Sequence, residues 1–201
     1  MPTLDELFDL LDEAEENDQL ASARFLYEAI LAQDQANPGL LILHASNLIE
    51  LGDLTEAELT LEKVEADENT LPGLTTQRGH LARARGHLAD AEKFYRDAHK
   101  LDPSDDENLL NAAGMAFQRG ESAKAEYLLR EVIANDSENL LDAWFTLATQ
   151  LIAQQRYHES RTSFEKVIEI EPHHELAHEW LADLNFREIL TREDPNPVTS
   201  S

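Results

Sequence analysis

The feature that most narrows what this chain can fold into is a column of small residues, Ala23, Ala57, Ala91, Ala125 and Ser160, separated by 34, 34, 34 and 35 residues. Four positions after each stands a large apolar residue, Tyr27, Leu61, Tyr95, Leu129 and Phe164. Three further on come Ile30, Val64, Ala98, Val132 and Val167. Offsets of four and three follow one face of a helix, so every unit carries an amphipathic helix. Leu20, Leu54, Leu88, Ser122 and Tyr157, three before the column, begin that helix on the same face. Just ahead lie Gly52, Gly86 and Gly120, with Asp18 and Gln155 in the outer units. Glycine adopts the left-handed conformation that ends a helix at little cost, so these positions mark the joint with a preceding helix.

Each preceding segment has its own apolar stripe. The stripes are Leu7, Leu10, Leu11 and Ala14; Leu41, Ala45 and Leu48; Gly79 and Ala82; Leu109, Ala113 and Ala116; and Trp144, Leu147, Ala148 and Leu151. Between units, Asn37-Pro38, Leu71-Pro72, Asp102-Pro103 and Glu171-Pro172 stop one helix and permit the next, because proline lacks the amide a continuing helix needs. Thr3 to Glu6 and Ser104 to Glu107 have the spacing of a capping box.

On these residues the chain resembles the tetratricopeptide repeat (TPR) family, whose 34-residue unit is a helix-turn-helix. The unit holding Trp144, Leu147, Ala148, Tyr157, Ser160, Phe164, Val167 and Pro172 carries the likeness best. The resemblance implies an all-α, right-handed α-solenoid of antiparallel helix pairs. It divides residues 1–192 into one domain with repeats at about 4–37, 38–71, 72–104, 105–138 and 139–172. A capping helix over about 173–192 would cover the end of the stack through Leu181, Ala182 and Leu184, and 193–201 reads as a flexible tail.

Composition bears on function by exclusion. With 16 Lys+Arg against 41 Asp+Glu the formal charge is −25, which disfavours nucleic-acid backbones and anionic membrane surfaces as partners. The absence of cysteine removes thiol catalysis, disulfides and Cys-type zinc sites. No apolar run reaches a membrane span and the N-terminus lacks a leader pattern, so a cytoplasmic location is expected. One motif suggests chemistry. His174-Glu175-Leu176-Ala177-His178 fits H-E-x-x-H, in which two histidines a turn apart hold zinc and glutamate activates water. No third ligand is recognisable, and the repeat phase already explains the segment as the start of the capping helix. A metallopeptidase or metal-binding protein is therefore the alternative reading, and the expectation is no enzyme activity, no cofactor and no resident metal.

The resemblance implies that the first helices line a concave groove that holds a partner's peptide or helix. Residues off the buried stripes of those helices are the candidate peptide-binding set: Ile42, Ser46, Ile49, His80, Arg83, Asn111, Phe117, Phe145, Thr149 and Ile152. The chaperone-binding members use a Lys/Asn/Arg clamp for a terminal carboxylate. Here no first helix carries Lys, and the clamp positions hold Phe8 with Asp12, Ile42 with Ser46, or Thr76 with His80. A non-enzymatic adaptor without that clamp is expected, its partner having apolar anchors and basic flanks. Self-association through the same wall, or through Trp180 and Phe186, is a third reading.

Overall fold

The computed structural model describes residues 2–33, 37–64, 72–135 and 138–193, with side chains to residue 187. Among the described residues all regular structure is helical, and the helices fall into two compact units, Met1–Arg119 and Gly120–Ser201. The first unit holds α1 (Leu4–Glu16), α2 (Leu20–Leu31), α3 (Pro38–Leu51), α4 (Leu54–Glu62), α5 (Pro72–Ala84), α6 (Leu88–Leu101) and α7 (Glu107–Gln118). The second holds α8 (Ser122–Asn135), α9 (Leu140–Ala153), α10 (Tyr157–Ile170) and α11 (Glu175–Glu193). Within each unit, helices adjacent in sequence pack on one another, the packing of antiparallel pairs joined by short turns.

The small-residue column is the structural spine. Ala57, Ala91, Ala125 and Ser160 are completely inaccessible and Ala23 nearly so, which within each compact unit lets α1 and α2, α3 and α4, α5 and α6, and α9 and α10 approach closely. Ser160 keeps its hydroxyl satisfied by donating to the Ala148 carbonyl at 2.8 Å, so a polar residue fits the column without an unpaired group. Tyr27, Tyr95, Leu129 and Phe164 are buried around it. At the joints, Gly52, Gly86 and Gly120 have φ of 83°, 76° and 79°, and Asp18 and Gln155 adopt the same left-handed conformation at 52° and 61°. The left-handed residue thus recurs at all five joints, two of them with a side chain in a region that favours glycine.

Cap chemistry follows the sequence in part. Thr3 and Glu6 exchange the reciprocal bonds of a capping box at 3.3 and 2.7 Å, and the Asn37 side chain accepts from the Leu40 amide ahead of Pro38. Ser104 is no cap: its amide and hydroxyl both donate to Asp102, and α7 begins beyond Asp106. Leu10 is not core either, being 48% exposed on α1, because Leu7, Leu11 and Ala14 already complete the stripe that meets α2. Tyr157, expected on the buried face of α10, is 39% exposed and lies under the Arg187 guanidinium, 5.9 Å from the ring centre. Helix α11 does cover α10, through Ala177 and Leu184, with Leu181 and Trp180 packed beside them and the Trp180 ring stacked on Phe164 at 6.1 Å. Ala182, expected in that seam, faces out. Leu71 and the tail from residue 194 lie outside the described residues.

A set of ion pairs repeats with the same period. Glu58, Glu92 and Glu126, each next to a spine alanine, stand 34 residues apart. Glu58 on α4 takes a two-bond contact from Arg85 at the end of α5, 2.8 Å each. Glu92 on α6, only 3% exposed, takes Arg119 at the end of α7 at 2.8 Å. Glu126 on α8 takes Arg156, which precedes α10. Each rung ties a second helix to the following pair.

Candidate protein-interaction surface

In the first unit the outward positions of α3, α5 and α7 carry seven of the candidate residues. Ile42 and Ile49 are half-buried, packed against the core of Leu41, Ala45, Leu48 and Leu74. They are part floor and part wall, as Phe117 and Asn111 are on α7, both half-buried. Ser46 edges a depression of about 210 Å³ also lined by Glu15, Asp18, Leu43, Asn47 and Glu50. Within it Asn47 donates its amide to the Leu20 carbonyl at 3.1 Å, while its buried side-chain oxygen has no partner among the described residues. Leu43, absent from the sequence-based set, is 53% exposed there. The sequence does carry a clue to it, because Leu43 stands on the same helical column as Asn111, two repeats on.

His80 and Arg83 on α5 form a polar stretch. The His80 ring lies 5.4 Å from Tyr95, tilted by 60°. Burial, aided by the nearby Arg83 charge, lowers its pKa from 6.5 to about 4, so it is a neutral imidazole near pH 7. Burial likewise raises the Tyr95 hydroxyl to about 12, and its oxygen has no partner among the described residues. Beside them Thr76 donates to the Asn108 side-chain oxygen at 3.0 Å, joining α5 to α7, and Asn108 in turn donates to Asp105 at 2.8 Å. Three larger depressions among the described residues of this unit, about 370, 490 and 790 Å³, involve α4 and none of the candidate residues.

In the second unit Phe145, Thr149 and Ile152 lie on α9, all half-buried. Phe145 packs edge-on to Phe164 at 5.6 Å and stacks on His174 at 5.0 Å, while Thr149 bonds its hydroxyl to the Thr146 carbonyl at 2.9 Å. The apolar pair contributes to the core as well as to the surface.

The H-E-x-x-H segment takes a local structural arrangement. His174 precedes α11 and its Nδ1 accepts the Ala177 amide at 3.2 Å, the bond of an N-cap. Nε2 of His178 is 2.9 Å from the Pro172 carbonyl. One nitrogen of each ring is thereby occupied, and among the described residues no three His, Cys, Asp or Glu side chains gather as metal ligands.

Comparison with known proteins agrees with the repeat geometry. Two family models, both described as tetratricopeptide repeat, match residues 76–139 and 141–174. Among solved structures, the C-terminal part of a TPR repeat-containing protein from Cytophaga hutchinsonii superposes with a TM-score of 0.76 at 17% identity, covering 94% of this chain and 74% of that one. A thermophilic TPR protein of Thermus thermophilus gives 0.70 at 19% identity over 92% and 100%. YrrB, a TPR protein with an unusual peptide-binding site, gives 0.61 at 16% identity over 86% and 89%. Among curated proteins none matches.

Proposed function

Because the chain belongs to the tetratricopeptide repeat family, we propose that it is a non-enzymatic adaptor whose first-helix faces hold an extended peptide or a helix of a partner protein. The observation that carries this reading is the chemistry of those faces in the first unit. They present apolar side chains, exposed at Leu43 and half-exposed at Ile42, Ile49 and Phe117, beside the polar side chains of Ser46, Arg83 and Asn111. Apolar anchors of a partner gain affinity by burial there, and the polar groups fix its register. The similarity to YrrB, a TPR protein with a peptide-binding site, favours the same use of the fold. Carboxylates around the faces, Asp12, Glu15 and Glu50 among them, select a partner with basic flanks and speed its encounter. Phe145, Thr149 and Ile152 extend the set on the second unit. The domain reading, 1–192 as one array followed by a tail, and a cytoplasmic location go with this proposal; among the described residues no helix is long and apolar enough to cross a membrane.

The test is selection of a random peptide library, displayed on phage, against the full chain. Binders with large apolar residues and basic flanks are expected, with affinity that falls as salt rises. Ile49→Asp or Phe117→Ala should weaken them by about tenfold or more, the usual effect of removing an apolar anchor. Enrichment no better than on a blank surface, or affinity flat with salt, would contradict the proposal in its entirety or in its electrostatic part respectively.

A further inference from the structure

Two details of the first unit's wall mark where a partner can be held. The first is Arg83. In a chain with an excess of 25 negative charges, the arginines are taken up by neighbouring residues: Arg24 by Asp53 and Glu56, Arg85 by Glu58, Arg119 by Glu92, Arg130 by Glu126, and Arg187 by Asp183. Arg83 is exposed and, among the described residues, makes neither a hydrogen bond nor an ion pair. It acts on the neutral His80 ring and on the Tyr95 hydroxyl, and Glu107, which acts on the same hydroxyl from α7, makes no ion pair with Arg83 among the described residues.

The second is Gly114, in the middle of α7. Glycine inside a helix weakens it relative to alanine, so it needs a reason. Gly79 has one: a Cβ there would stand 2.7 Å from the Tyr95 ring. At Gly114 a Cβ would meet nothing within 4 Å, so the space above this stretch of backbone is open.

The two details lie at one level of the wall. Helices α5 and α7 run in the same direction, each antiparallel to α6 between them, and the Thr76–Asn108 hydrogen bond sets their register. Seven residues on, about 10 Å along the axis, that register brings Arg83 level with the turn of α7 that carries Gly114 and Phe117.

We propose, on the footing of the peptide-binding reading above, that the partner segment places an acidic side chain on Arg83 and, next to it, a large apolar side chain in the space over Gly114 against Phe117. The guanidinium is a planar fork that takes a carboxylate in two parallel bonds, and no carboxylate of the described chain occupies it. The surrounding acidic surface makes this contact selective, because a partner's carboxylate is repelled elsewhere and accepted at this one place. The partner is thus a peptide with an internal acidic residue beside a bulky apolar one, within otherwise basic flanks. This differs from recognition of a terminal carboxylate, for which the chain lacks the positions.

The experiment is parallel selection of one random peptide library, displayed on phage, against the wild-type full chain, R83E, R83K and G114W. Circular dichroism of each variant first confirms a native helical signal; Arg83 is exposed, so its substitution leaves the core intact. Wild type is expected to enrich peptides with Asp or Glu next to a large apolar residue, R83K the same with weaker binding, R83E peptides with Lys or Arg at that position, and G114W peptides with a small residue in place of the apolar one. A wild-type peptide should bind R83E at least tenfold more weakly and regain affinity when its acid is changed to Lys. Enriched wild-type peptides without an acidic position, or an unchanged selection with R83E, would overturn the inference while leaving the peptide-binding reading intact. No enrichment with any of the four proteins would remove that reading, and the inference with it.

Discussion

At the scale of single residues, the two helical glycines give opposite expectations. Gly79→Ala drives a methyl group into the Tyr95 ring and should destabilise the chain by about 1–3 kcal/mol, the cost of overpacking. Gly114→Ala finds open space and should stabilise it by up to about 1 kcal/mol from helix propensity. Urea unfolding of both variants checks the pair. Gln155 occupies a left-handed conformation at φ 61°, so Gln155→Gly should raise stability by about 0.5–1 kcal/mol in the same assay. His80 gives a pH dependence. Its folded pKa, about 4, lies below the free value of 6.5, so between these limits the unfolded chain binds more protons and stability falls as pH falls. The loss is at most about 3 kcal/mol, from the size of the shift. His44, lowered by burial, adds to the same trend. His80→Gln should flatten stability between pH 6.5 and pH 4, and an unchanged slope would mean that His80 is not held neutral. The sequence marks His80 as a wall residue; its neutrality depends on Tyr95 burying one side of the ring, which no spacing along the chain reveals.

At the scale of helices, the 34-residue columns are legible because each position meets the same local need in every unit, being small at the crossing, large beside it and left-handed at the joint. The rungs from glutamate to arginine are not, although Glu58, Glu92 and Glu126 share a column and Arg85-Gly86 and Arg119-Gly120 repeat. Their partners come from different columns, 27 residues away in the first two rungs and 30 in the third, so only the packed geometry pairs them. Glu92, almost fully buried, makes its rung the most sensitive. Arg119→Ala removes the 2.8 Å partner of that buried carboxylate and should cost about 3 kcal/mol or more, whereas Glu58, half-exposed, should give an effect under about 1 kcal/mol for Glu58→Gln. Equal effects at the two rungs would show that burial does not set their weight. Leu10 and Ser104 depart from expectation for a related reason. Both fit a periodic or capping pattern, and in both a neighbour, Leu11 or Asp102, already meets the physical need. The wall residues are legible as a helix face, but the division between core and surface is not. Ile42 and Phe145 do both, because adjacent helices cover part of each side chain.

At the scale of the whole molecule, the charge of −25 and the role of an adaptor make separate demands. Self-repulsion among surface carboxylates weakens the folded state at low ionic strength, and the few ion pairs that salt would screen are outnumbered, so the melting temperature should rise with added salt. Binding has the opposite dependence, since the same carboxylates attract a basic-flanked partner. Light scattering after size exclusion should give the monomer mass, and a stable dimer would favour self-association. Whether the first-helix faces hold the partner is decided by mapping amide chemical-shift changes when a library-selected peptide is added to the isotopically labelled full chain. Changes should concentrate on α3, α5 and α7, with Arg83, Asn111 and Gly114 among the most affected; changes confined to the second helices α2, α4, α6, α8 and α10 would contradict binding in the groove.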